Sequence, residues 1–124
     1  MAQLASKIID QEPAAPASAI DRRQLARMTF GDRSLEREVL QLFDRQAAIL
    51  LERMRSGDAA AIGSLAHTLK GSAAGIGAQR VARAAYVAEF TAGASAAECS
   101  RALDRLAQAV DEARALIAEL LSVS

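Results

Sequence analysis

Tryptophan is absent from this chain of 124 residues, tyrosine occurs once and phenylalanine three times. β-Branched residues are also few, which argues against a sheet protein. The single cysteine, Cys99, excludes an internal disulfide. The single histidine, His67, and that distant cysteine fall short of the three or four ligands a zinc site needs. No apolar run approaches the roughly 18 residues of a membrane span. Met1 to Asp10 lacks the basic and apolar regions of a signal peptide, so a cytoplasmic location is expected. Formal net charge is zero, with acids and bases interspersed. The concentrated basic face of a nucleic-acid binder is therefore missing. The basic residues are nearly all arginine, and the only lysines are Lys7 and Lys70.

Alanine, leucine, arginine and glutamate fill the chain, and all favour helix. The length suits one domain with one core. Pro13, Pro16 and small residues mark positions 1–18 as a flexible tail, leaving 19–124 as the folded domain. Asp21 is placed to cap a short helix over Arg22 to Met28, and Thr29 to Asp32 interrupts the pattern. A long helix is expected from about Ser34 to Arg55, with Leu35, Val39, Phe43, Ala47, Leu50 and Met54 inward. Ser56-Gly57-Asp58 should end it and cap a helix over about 59–74. Gly75 and Gly77 mark the next turn. A helix over about 79–91 follows, with Val81, Ala84, Ala85 and Ala88 inward. Ser95 to Glu98 reads as a capping box for a last helix ending near Leu121, through Leu103, Leu106, Val110, Ile117 and Leu120. The expected class is all-α: an up-down-up-down four-helix bundle with a short extra N-terminal helix.

His67 lies within the second long helix. At about 100° per residue, Leu65, Ala66, Leu69, Ala73 and Ile76 fall within roughly 60° of Ile62, on one apolar stripe. On the same scale His67 lies near 140°, Lys70 near 80°, Gly71 near 180° and Ala74 near 120°. A surface imidazole thus has a lysine at i+3 and a glycine at i+4 as neighbours. Gly63 lies one turn before it, and Ser64 at i−3 could touch the ring. Gly71, inside a helix, costs about 1 kcal/mol relative to alanine. A surface kept bare at that cost suggests close approach by another body.

Transient phosphorylation suits such a patch. An exposed imidazole is largely neutral at pH 7 and keeps a free lone pair on one ring nitrogen. Phosphoryl transfer depends mainly on alignment and charge stabilisation, and Lys70 could offset charge on the phosphoryl oxygens. A hydrolytic triad would need an orienting carboxylate and an adjacent serine, and no nucleophile elbow is visible. From a different class, a helical adaptor whose histidine is never modified also fits the residues.

The run His67-x-Leu69-Lys70-Gly71-Ser72-Ala73, then Gly77-Ala78, resembles the signature of histidine-containing phosphotransfer (HPt) domains, here of the stand-alone bacterial type. The resemblance implies that His67 carries the phosphoryl group on Nε2, that Lys70 steadies it and that Gly71 leaves room for the partner. Leu69, Ala73 and Ile76 would be core. Gly63, Ser64, Gly71 and Ala74 form the expected partner-binding surface. The implied partners are receiver domains of a hybrid histidine kinase and of response regulators, with no nucleic acid and no membrane. The chain would be a monomeric phosphoryl carrier, not an enzyme, with no cofactor; Mg2+ would sit on the receiver. In agreement, the sequence holds no glycine-rich phosphate loop. One departure is that Ala84, Ala85 and Ala88, followed by Glu89, stand where many relatives carry larger apolar residues.

Overall fold

The computed structural model describes residues 18–123, and the tail expected over 1–18 falls almost wholly outside that range. Five helices and no strand occur among the described residues: α1 (Arg22–Met28), α2 (Arg33–Ser56), α3 (Ala59–Gly75), α4 (Gln79–Thr91) and α5 (Ala96–Ser122). Four of them start at a side-chain cap. Asp21 accepts from the backbone N–H of Arg23 and Gln24, Asp32 from Leu35, Asp58 from Ala61 and Ser95 from Glu98. Each cap satisfies a donor that the first helical turn leaves unpaired.

α4 has no side-chain cap; its start is fixed by the turn before it. The Ala78 N–H donates to the Ala73 carbonyl (2.8 Å) and the Gly77 N–H to that of Ala74 (3.3 Å). With Gly77 at φ +83° this closes α3 in a Schellman motif. The Gly77 carbonyl accepts from the Asp21 N–H at 2.8 Å, which ties α1 to the same turn. Gln24 reinforces the tie, bonding the Ala74 carbonyl and accepting from Gln79 Nε2.

α3 packs against α2 and α4, and α5 packs against the same two helices; α1 rests mainly on α3. α2 and α5 run antiparallel. The Arg37 guanidinium reaches the carbonyls of Leu121 and Val123, Arg114 meets Asp44, and Arg55 meets Asp104. One apolar core joins all five helices, with Leu25, Leu40, Met54, Leu69, Val81, Leu106 and Ile117 fully enclosed.

The helix boundaries expected from sequence agree within about a residue, but the inward faces differ in places. On α2, Leu40 is buried, whereas Leu35 is exposed and Val39 only half-buried. The deep positions 43, 47, 50 and 54 define a face from which Leu35 lies roughly 90° away and Leu40 about 50°. On α4, Ala82 is buried in place of the half-buried Ala84; Leu65 and Leu120 are also only half-buried.

Gly77 generates a stability prediction. A Cβ there would lie 2.7 Å from the Asp21 carbonyl oxygen, at a backbone angle that side chains disfavour. Gly77→Ala is expected to lower stability by about 1–3 kcal/mol, read as a lower urea midpoint, with native helix content before the transition.

Candidate functional site

α3 presents His67 outward, its side chain 67% exposed. The helix starts at the Asp58 cap, and Ile62, Ala66, Leu69 and Ala73 lock its opposite face into the core. That fixes the outward register of His67, Gly71 and Ala74, all exposed. No heavy atom outside its own helix lies within 4 Å of a Cβ placed on Gly71, so the space above it is open. Ser64 is exposed beside His67, and its carbonyl accepts from the Thr68 hydroxyl. Gly63 is placed differently. It is half-buried, and a Cβ there would come 3.8 Å from Ala92 at the end of α4. Its small size serves helix contact there more than open surface.

The element that completes the site comes from α4. Glu89 Oε2 lies 2.9 Å from His67 Nδ1, and Glu89 Oε1 lies 2.8 Å from Lys70 Nζ. A single carboxylate thus holds both residues. The Lys70 ammonium, its strongest partner, keeps the Glu89 carboxyl below its usual range; desolvation opposes it, and the His67 hydrogen bond adds a smaller lowering effect. Glu89 is therefore ionised at neutral pH and can only accept hydrogen bonds. The Nδ1 of His67 must carry the proton it donates. In a neutral imidazole the lone pair then resides on Nε2. Among the described residues no hydroxyl bonds the ring, so Ser64 does not complete a triad and Nε2 of this largely exposed side chain has no hydrogen-bond partner.

Lys70 is braced on its other side. Its Nζ sits 5.6 Å from the centroid of the Tyr86 ring, within cation–π range. Tyr86 and Phe90 stack at 6.5 Å and remain 55% and 79% exposed. They form an exposed apolar shoulder beside Lys70. Tyr86, Glu89 and Phe90 were not among the residues expected from the sequence. The available signal was thin: between Val81 and Phe90 the only charged residues are Arg83 and Glu89.

Comparison with family models matches the Hpt domain over residues 37–116, well over half of the chain. Among solved structures, the fold resembles the X-ray structure of a rice protein assigned as a histidine-containing phosphotransfer protein. The TM-score is 0.75 at 20% identity, covering 96% of this chain and 94% of that one. At that identity the likeness speaks for the fold. No curated protein sequence matches.

The shared carboxylate makes two measurements predictable. In wild type, imidazole 15N shifts should report Nδ1–H as the dominant neutral form; Glu89→Ala should lose that bias. The second is a pH window. With its carboxyl held below the ordinary 4.5, ionised Glu89 contributes fully above that value and loses its contribution as pH falls through its folded pKa. The stability difference between wild type and Glu89→Ala, from urea melts, should therefore shrink as pH is taken below 4.5.

Proposed function

The chain belongs to the Hpt domain family, and from that premise we propose that it is a phosphoryl carrier of a two-component phosphorelay, with His67 as phosphoacceptor. The observation that carries this reading is the Glu89–His67 hydrogen bond, which leaves an outward-facing lone pair on Nε2. The four long helices are read as one up-down-up-down bundle that presents this nitrogen. The donor is the aspartyl phosphate of a receiver domain on a hybrid histidine kinase, and the acceptor is a response-regulator aspartate.

In the forward step the Nε2 lone pair attacks phosphorus while the P–O bond to the aspartate breaks. The bonding pair leaves with the aspartate carboxylate. The Nδ1 proton stays on the ring, shared with Glu89, so the step needs no separate base. The product ring is cationic if it keeps that proton, and the carboxylate lies against it. Lys70 stands within the same cluster to offset charge on the phosphoryl oxygens. The receiver approaches over Gly71, with Ser64 and Ala74 at the margins and the Tyr86–Phe90 shoulder to one side. The carrier is modified and returned, holds no cofactor of its own and relies on Mg2+ bound to the receiver. No helix among the described residues is long and apolar enough to cross a membrane. We propose that the carrier acts in the cytoplasm as a monomer and is of bacterial type.

His67→Gln should keep the fold, because the side chain is mostly exposed, and should accept no label from a phosphorylated receiver domain. The wild-type label should be acid-labile and alkali-stable. Absence of label from several receivers and from a small phosphoramidate donor would favour the helical adaptor instead. Gly71→Gln should slow transfer from a receiver at least several-fold while helix content holds or rises. Unchanged transfer would remove the clearance argument.

A further inference from the structure

About 180° around α4 from Glu89, α4 and α5 leave a groove of about 320 Å3 between them. Its floor is Ala84, Val87, Ala102 and Ala109. Three of these side chains end at Cβ, so the helices pack at depth but leave the outer part of their interface unfilled. The rim is basic: Arg80, Arg83 and Arg105 face it, and the one acid lining it is Glu112. Glu112 is engaged by Arg80 at 2.9 Å. Arg83 and Arg105 have no hydrogen bond or ion pair with any described residue. The groove therefore offers an apolar floor and two uncommitted guanidinium groups.

The position of the chain end indicates an occupant. Ser18, the first described residue, lines a neighbouring hollow together with Arg80 and Glu112, and these two also line the groove. Ser18, to which the preceding sequence is joined, thus lies next to the groove. It contains Ile8-Ile9-Asp10-Gln11-Glu12, two adjacent apolar residues followed by two acids. The groove spans α4 from Arg80 to Val87, about 10 Å of helix. The six residue-to-residue steps from Glu12 to Ser18 can reach about 20 Å. Length, charge and apolar character all match.

We propose that the segment Ile8–Glu12 of the same chain docks in the α4–α5 groove, with Ile8 and Ile9 on the alanine floor and Asp10 and Glu12 toward Arg83 and Arg105. The docked segment would support α4 from behind, the helix whose opposite face carries Glu89. The inference is independent of phosphotransfer.

The test places a spin label at position 5 of the full-length chain (Ala5→Cys with Cys99→Ser) and reads paramagnetic broadening of backbone amides. Docking predicts that Ala84, Val87, Ala102 and Ala109 broaden at least threefold more than Ala47 and Leu50 on α2. The effect should persist when labelled chain is diluted into an excess of unlabelled, spin-free chain. Arg83→Glu with Arg105→Glu should abolish the preference, and adding Asp10→Lys and Glu12→Lys should restore it. The restoring pair guards against simple misfolding of the charge-reversed chain. Uniform broadening, or a preference that survives charge reversal, would overturn the proposal. A preference lost on dilution would also overturn it, assigning the groove to a second copy.

Discussion

The site depends on how closely α3 and α4 approach each other. Interhelical distance follows the size of the side chains at the contact. Here they are small: Ala66 and Ala73 on α3 and Ala82, Ala85 and Ala88 on α4 are all buried, and Gly63 faces Ala92. A glutamate is a short side chain, and only across a close contact can one carboxylate touch a histidine and a lysine on the neighbouring helix. Larger apolar residues at these positions would move α4 outward and take Glu89 out of reach. The small residues at this contact are thus tied to the reach of the carboxylate. On the α5 side of α4, Ala84 leaves the groove there unfilled.

The Glu89 pairs act on geometry more than on stability. His67 is mostly exposed and Lys70 and Glu89 about one third so, where solvent and salt screen ion pairs and leave them worth little. Direction is what the carboxylate contributes. It accepts the Nδ1–H hydrogen bond, orients the ring and leaves the lone pair on Nε2. It also holds Lys70 against the Tyr86 ring, so the cation is positioned before any phosphoryl group arrives. Preorganised charge of this kind needs no reorganisation during reaction. In the proposed transfer an incoming phosphoryl group would compete with Glu89 for Lys70, while the ring proton stays on Nδ1, hydrogen-bonded to the carboxylate.

How much of this was legible in the sequence depends on the range of each signal. His67, Lys70 and Gly71 were readable together because their spacing within one helix fixes their geometry. The ends of the helices were readable from Asp21, Gly57, Asp58, Gly77 and Ser95, each of which acts through the neighbouring turn. Leu35 was misplaced because spacing of three and four residues drifts around a long helix, and only packing decides which end of the drift is buried. Glu89 was not readable as a ligand of His67. That contact needs the relative register of two helices and their separation, neither of which is encoded in a local pattern. Phe30 is similar: it adopts φ 56° just before Gly31 at 72°, where sequence alone would have assigned the left-handed turn to the glycine only.

Two glycines in α3 and its turn separate internal from external constraint. Gly77 is required by the chain itself, since its backbone angle and the nearby Asp21 carbonyl exclude a side chain. Gly71 has no such requirement: it is helical, and the space above it is empty. Alanine there would favour the isolated protein by about 1 kcal/mol, so nothing within the fold requires the glycine. The cost is easily carried. Four side-chain caps at roughly 1 kcal/mol each stabilise helix starts away from the open face over Gly71. Stability is concentrated at the helix ends and in the core. The exposed surface around Gly71 can therefore remain bare without loss of the fold.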